Sequence, residues 1–247
     1  MIGDRPRPDG SGDRFHGRRR GRRLRPGRAA LLGTLLPRLR FSIPAEGPLD
    51  PASLFSRPPA QIWLEIGFGA GEHLAAQAQS RPDVGFVGCE PYVNGVAALL
   101  ARVDALDLAN VRIYDDDARP LLDVLSDASV HRVFVLFSDP WPKARHHRRR
   151  FIGDATVAAL ARVLADEGEL WFATDDAGYV RWTLDHVTRH PAFTWTARRP
   201  QDWRHPPAGW VETRYESKAL TRGATCAYLR FVRRRRADLK GASKKTP

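Results

Sequence analysis

From Gln61 onward short apolar runs alternate with stretches of helical periodicity, and no other feature of the chain narrows its fold so far. The apolar runs near 62–66, 84–89, 111–114, 133–137 and 169–173 read as strands. Helices are expected near 71–80, 91–106, 154–165 and 177–189, and further strands near 193–197 and 226–232. Parallel strands need a crossover connection, so this alternation predicts an α/β fold with a doubly wound, mostly parallel sheet. Asp154 reads as an N-cap, and Val157, Leu160, Ala161 and Leu164 as the buried stripe of the helix leading to the fifth strand. No apolar run approaches the about 18 residues that cross a bilayer, which excludes a membrane-spanning helix. Two cysteines, Cys89 and Cys226, cannot build a disulfide scaffold or a Cys-rich zinc module. The Arg-rich start lacks the apolar core of a secretory signal, so a cytosolic, reducing compartment is expected.

Charge divides the chain more sharply than hydropathy does. The net charge is +12, yet the first 40 residues hold 12 Arg against 3 Asp, and residues 233–247 hold 7 basic groups against 1 acidic. By difference, residues 41–232 carry about −3. Basic arms on a nearly neutral body suit a polyanion such as nucleic acid, because Lys and Arg that neutralise phosphates release counterions. Residues 1–25 have almost nothing to bury and are expected to form a disordered basic arm. Residues 26–59 follow as a helix starting at Pro26, with Ala29, Leu31, Leu32, Leu35, Leu36 and Leu39 on its apolar face, and a Pro-rich linker. The body spans 60–232, and 233–247 form a basic tail.

The first strand, Ile62-Trp63-Leu64-Glu65-Ile66, runs directly into Gly67-Phe68-Gly69-Ala70-Gly71. Glycines there permit a tight turn and close approach of a ligand to a helix N-terminus. The spacing is G-x-G-x-G, whereas dinucleotide sites use G-x-G-x-x-G, which argues against a bound pyrophosphate. Glu65 points the same way, since a carboxylate repels pyrophosphate and attracts the sulfonium and amine of S-adenosylmethionine. Glu90 ends the second strand, where α/β folds hydrogen-bond ribose hydroxyls, and Asp115-Asp116-Asp117-Ala118 follows the third, within reach of an adenine. Three acids at three strand ends thus converge on one crevice.

The fourth strand ends in Ser138-Asp139-Pro140-Trp141-Pro142-Lys143, a carboxylate on a proline-stiffened loop with an indole wall. Arg145-His146-His147-Arg148-Arg149-Arg150 follows as a cationic patch suited to phosphates. The paired histidines lack a third ligand at helical spacing, so no metal is expected. Thr174-Asp175-Asp176 and Thr213-Arg214-Tyr215-Glu216 can close over the same crevice.

Together these residues resemble the bacterial tRNA (guanine-N7-)-methyltransferases, Rossmann-like class I enzymes that use S-adenosylmethionine. The resemblance rests on Leu64-Glu65-Ile66-Gly67-Phe68-Gly69, Glu90, Asp117-Ala118, Phe137 through Lys143 with Arg145-His146, Thr174-Asp175 with Tyr179, and Thr213 through Glu216, and covers about residues 60–232. It implies that Glu65, Gly67, Gly69, Glu90, Asp117, Ala118 and Asp139 form the cofactor site, with Asp139 also the catalytic acid residue. It implies that Lys143, Asp175, Thr213, Arg214, Tyr215 and Glu216 face the guanine and its nucleotide, in the variable loop of tRNA. Ser138 and Ala144 depart from the proline and the lysine usual in the family, which bears on loop stiffness and phosphate contact. Glu216 or Asp175 can be expected to read the guanine N1–H and N2 amine. Three rival readings remain at this level: an amino-nitrogen methyltransferase acting through the Asp139-Pro140-Trp141 loop, a nucleotide-binding oxidoreductase, and a non-catalytic RNA-binding protein. Monomer and homodimer stay equally open.

Overall fold

The computed structural model describes residues 16–242. Seven strands form one sheet: β1 (Gln61–Ile66), β2 (Val84–Cys89), β3 (Val111–Tyr114), β4 (Val130–Leu136), β5 (Leu164–Thr174), β6 (Phe193–Trp195) and β7 (Ala227–Arg233), in the order β3-β2-β1-β4-β5-β7-β6. β1 to β5 run parallel and β7 is antiparallel to both its neighbours. The strand order reverses between β1 and β4, which opens a crevice outside their carboxyl ends, where α/β sheets take ligands.

Helices α1 (Pro26–Thr34) and α2 (Leu36–Leu39) precede the sheet, and α3 (Glu72–Ser80), α4 (Val93–Ala105), α5 (Ala118–Val124), α6 (Asp154–Val163) and α7 (Ala177–Arg189) connect its strands. Short helices α8 (Gln201–Arg204) and α9 (Arg214–Thr221) lie between β6 and β7, and α10 (Arg236–Ala242) follows β7. Side chains alternate across the pleat, so each face has its own core. Ile62, Leu64, Val133, Val135 and Phe172 face α5, α6 and α7. Trp63, Phe134 and Trp171 face α3 and α4. Phe134 sits edge-on to Trp171 and His73, with ring centres 5.7 and 4.6 Å away.

Several expectations are corrected. β4 stops at Leu136 because Phe137 turns to φ 50°, outside strand geometry. Asp154 is the first residue of α6, not its cap: Gly153 is the N-cap, and Thr156 Oγ1 accepts from Gly153 N–H at 3.0 Å. The helix begun at Pro26 breaks after Thr34, with Pro37 in the first turn of its continuation. The Pro-rich stretch packs on the body: Phe41 N–H donates to Ile113 O, Leu49 N–H to Val124 O, and Arg40 Nε and Nη2 donate to the two Asp115 carboxylate oxygens at 2.7 Å. Of the arm expected to be disordered, residues 1–15 lie outside the described residues. The remainder is tied down, since Val93 N–H donates to Arg19 O, Gly21 N–H to Asn94 Oδ1 and Asn94 Nδ2 to Arg22 O. The basic tail likewise begins as structure, with Arg233 and Arg236 both on Asp166. Its residues 243–247 lie outside the described residues.

Candidate active site

The turn after β1 takes its shape from Gly67, Gly69 and Gly71, all left-handed at φ 71°, 57° and 73°. Only glycine adopts that geometry without penalty. Gly71 is the N-cap of α3, and a side chain on it would strike Leu99 of α4. The turn is clamped from β2: Glu90 Oε2 accepts from Gly69 N–H at 2.8 Å, and Oε1 from Tyr92 N–H at 2.9 Å. Gly95 of α4 completes the cradle. A Cβ there would stand 2.3 Å from Gly69 O, so only glycine lets helix and turn meet.

The expected carboxylates do assemble at this edge. Glu65 is buried at the end of β1, with Oε2 2.7 Å from His73 Nδ1. Glu90 is buried beside it, and desolvation, opposed by its two backbone hydrogen bonds and reinforced by Asp139 and Glu65, raises its pKa to about 7. Asp117 is the N-cap of α5 and accepts from Arg119 N–H and its guanidinium; Ala118, the first helical residue, is buried. Asp116 accepts from Arg19, so the basic segment reaches the tip of β3.

Asp139 stands opposite, at the tip of β4. Its carboxyl is accessible from the crevice, and partial desolvation raises its pKa. Two left-handed aromatic residues bracket it, Phe137 at φ 50° and Trp141 at φ 43°. Each costs about 1 to 2 kcal/mol relative to an ordinary conformation, so the loop must be held from outside. Arg150 does so: it is 5% exposed, its Nε donates to Pro140 O at 2.7 Å, and its guanidinium lies over Tyr179 and Trp182. Tyr179 OH accepts from Ile152 N–H at 3.2 Å and is 3.5 Å from Ser138 Oγ. Arg150 is therefore removed from the expected phosphate patch, because burial under the loop engages it. Lys143, Arg145 and Arg148 remain exposed, and Arg149 lies over the Trp141 ring at 5.0 Å.

The second group of expected residues is split by the structure. Thr213 caps α9, Arg214 is exposed on its first turn, and Tyr215 reaches back so that its ring lies 3.2 Å from the Cβ position of Gly69. Burial and the nearby Glu90 and Asp139 raise the Tyr215 pKa. Glu216 departs from expectation. It is 2% exposed and its carboxylate accepts from Trp210 Nε1, Thr213 N–H and Tyr228 OH, so it is not disposed to read a base edge. Thr213 and Glu216 form a capping box, and the T-x-x-E spacing is itself the sequence signal for that role. Asp175, at the tip of β5, is partly open, with Arg222 at 3.4 Å. Among the described residues no cluster of His, Cys, Asp or Glu has metal-binding geometry, and no helix is long and apolar enough to cross a membrane. His73, Gly95 and the clamping role of Arg150 are the site features that the sequence did not announce, while the cap role of Glu216 was carried by the T-x-x-E spacing and passed over.

A family model described as a putative methyltransferase matches residues 59–229. The chain is 53% identical over 237 residues to the tRNA (guanine-N(7)-)-methyltransferase of Rhodospirillum rubrum, which spans 95% of this chain and 93% of that protein. The chain belongs to the tRNA (guanine-N(7)-)-methyltransferase family. Another member, from Nitrobacter winogradskyi, is 50% identical over 236 residues, covering 96% of this chain and 91% of the relative. The member from Agrobacterium fabrum is 47% identical over 220 residues, 89% of this chain and 95% of its own. Among solved structures, the 16S rRNA methyltransferase KamB shares the fold, with a TM-score of 0.53 over 72% of this chain and 89% of that one at 14% identity. Membership also removes the oxidoreductase from the rival readings.

Proposed function

We propose that this chain methylates guanine N7 in the variable loop of tRNA, with S-adenosylmethionine as methyl donor. The observation that carries the reading is the meeting of Glu65, Glu90, Asp139 and Tyr215 around the glycine turn in a member of this family. The residues fit the cofactor. The space a Cβ would occupy at Gly67 is open to 4 Å, which lets a ligand lie against the turn backbone. The polar lining is carboxylate, matching a sulfonium, an amine and ribose hydroxyls. When bound, S-adenosylmethionine supplies an electrophilic methyl group on a positively charged sulfur.

Glu90 has two oxygens fixed by backbone N–H groups, so its remaining lone pairs are aimed and can receive ribose hydroxyls. Asp117 and Ala118 border the place of the adenine. Guanine N7 carries an in-plane lone pair and needs no proton removed, so no strong base is required. Orientation and charge remain. Asp139, held on its strained loop by Arg150, holds a donor edge of the base or the cofactor amine and opposes the positive charge that develops on the purine. Tyr215 offers a face to the base, while Lys143, Arg145 and Arg214 offer cations to the phosphates beside it. The base is stacked in folded tRNA, and exposing it costs on the order of a few kcal/mol, which phosphate contacts by the basic arms offset.

A tRNA transcript carrying 7-deazaguanosine at the variable-loop guanosine tests the target atom. It should bind with unchanged affinity and accept no methyl group; methylation at the wild-type rate would move the reaction to another atom and favour the amino-nitrogen reading.

A further inference from the structure

A buried chain of polar side chains runs from the glycine turn to the segment that carries Tyr215, and the steps above do not use it. Glu65 is 5% exposed, His73 1% and Gln77 5%. Glu65 Oε2 lies 2.7 Å from His73 Nδ1, and His73 Nε2 lies 3.3 Å from Gln77 Nε2. Gln77 Nε2 donates to Gly209 O at 3.2 Å, and Gln77 Oε1 accepts from Arg81 Nη1 at 2.7 Å.

These contacts settle the direction of each proton. Arg81 only donates, so the Gln77 atom facing it is the carbonyl oxygen; Gly209 O only accepts, so the atom facing it is the amide nitrogen. The second amide hydrogen of Gln77 then meets His73 Nε2, which must present a lone pair. The proton therefore sits on Nδ1 and is donated to Glu65. A neutral imidazole thus orients the carboxylate. Glu65 Oε1 has no hydrogen-bond partner among the described residues and remains an acceptor for a ligand.

The far end of the chain returns to the same crevice. Gly209 precedes Trp210, whose ring packs 5.7 Å from the His73 ring and whose Nε1 donates to Glu216 at 2.8 Å. Glu216 closes the cap of α9, and Tyr215 on that first turn lies over Gly69. Leucine would fill the space at position 73 without needing partners, whereas His73 and Gln77 are buried with all their side-chain polar atoms hydrogen-bonded.

We propose that His73 and Gln77 are positioning residues that hold Glu65 in its ligand-facing orientation and tie it to residues 209–216. Binding of the cofactor and binding of tRNA are thereby coupled. The proposal rests on the reading of Glu65 as a cofactor ligand.

The test uses the full chain, with S-adenosylmethionine and S-adenosylhomocysteine affinities by calorimetry, tRNA KM, thermal midpoint and imidazole nitrogen shifts by NMR. Glu65→Gln examines the underlying reading and should weaken S-adenosylmethionine at least tenfold. His73→Leu should weaken it about tenfold. His73→Asn, whose amide nitrogen lies near the position of Nδ1, should bring it within about threefold of wild type. Gln77→Leu should weaken S-adenosylmethionine about threefold, raise tRNA KM about fivefold, and abolish any difference in S-adenosylhomocysteine affinity with and without saturating tRNA. In the wild type that difference should be at least threefold, and the His73 nitrogen shifts should show a protonated Nδ1. Unchanged affinity in Glu65→Gln would overturn the cofactor reading and the proposal with it. Weakened affinity in Glu65→Gln with wild-type affinity in both His73 variants, a protonated Nε2, or no tRNA coupling in the wild type would overturn the proposal alone. Should His73→Leu fail to fold, the wild-type tautomer, His73→Asn and Gln77→Leu still decide it.

Discussion

Glu90 shows at the scale of one residue how burial serves the site and costs the fold. Its pKa is raised from 4.5 to about 7, so the folded protein holds this proton more tightly than the unfolded chain. The associated stability is present below about pH 4.5 and is lost as the pH rises through about 7. A cationic cofactor prefers the ionised carboxylate, and the sign for binding is the reverse. S-adenosylmethionine affinity should rise with pH up to about 7 and then level, with a limiting slope of at most tenfold per pH unit; Glu90→Gln should flatten that step in a calorimetric titration. At Asp139 the expectation concerns rate. Asp139→Asn should lower kcat by about 100-fold while shifting the cofactor Kd by less than tenfold, as loss of one oriented charge does; undiminished turnover would contradict its role. The carboxylates were legible because each lies at or just beyond the carboxyl end of a strand. The roles of His73 and Arg150 were not, since they come from what lies behind the site: the sequence shows a histidine inside a helix or an arginine in a basic run, and cannot show which carboxylate or carbonyl it meets.

Among the elements, the strands were legible wherever both faces are buried, because a run such as Val133 through Leu136 has few other uses. Short helices were not. α5 has seven residues with Pro120 in its first turn, and α9 was hidden because Thr213 through Glu216 was read as a substrate motif when two of its four residues are the helix cap. Packing between elements was equally silent: Gly95 looks like any helical glycine, yet it is where α4 meets the turn. Gly95→Ala should push α4 and the glycine turn apart. The expected outcome is a cofactor Kd at least tenfold weaker, alongside a lowered thermal midpoint, although alanine favours a free helix by about 1 kcal/mol. A raised midpoint with unchanged affinity would mean that the turn tolerates displacement.

For the whole molecule the organising fact is charge at the ends around a nearly neutral body. The described part of the N-terminal segment runs over the carboxyl edge of the sheet, with His16 near Trp141, Arg19 on Asp116 and Gly21 on Asn94. Basic groups are therefore set beside the crevice before any RNA arrives. Deleting residues 1–25 should raise tRNA KM and flatten the fall of tRNA affinity with salt, measured between about 50 and 200 mM; an unchanged slope would show that the arm touches no phosphate. The most direct measurement of the central claim is to incubate the protein with unmodified tRNA transcript and methyl-labelled S-adenosylmethionine, then treat the RNA with borohydride and aniline, which cut at N7-methylguanosine. A single scission in the variable loop, coincident with the label, is the expected result. Label without scission would contradict methylation at N7.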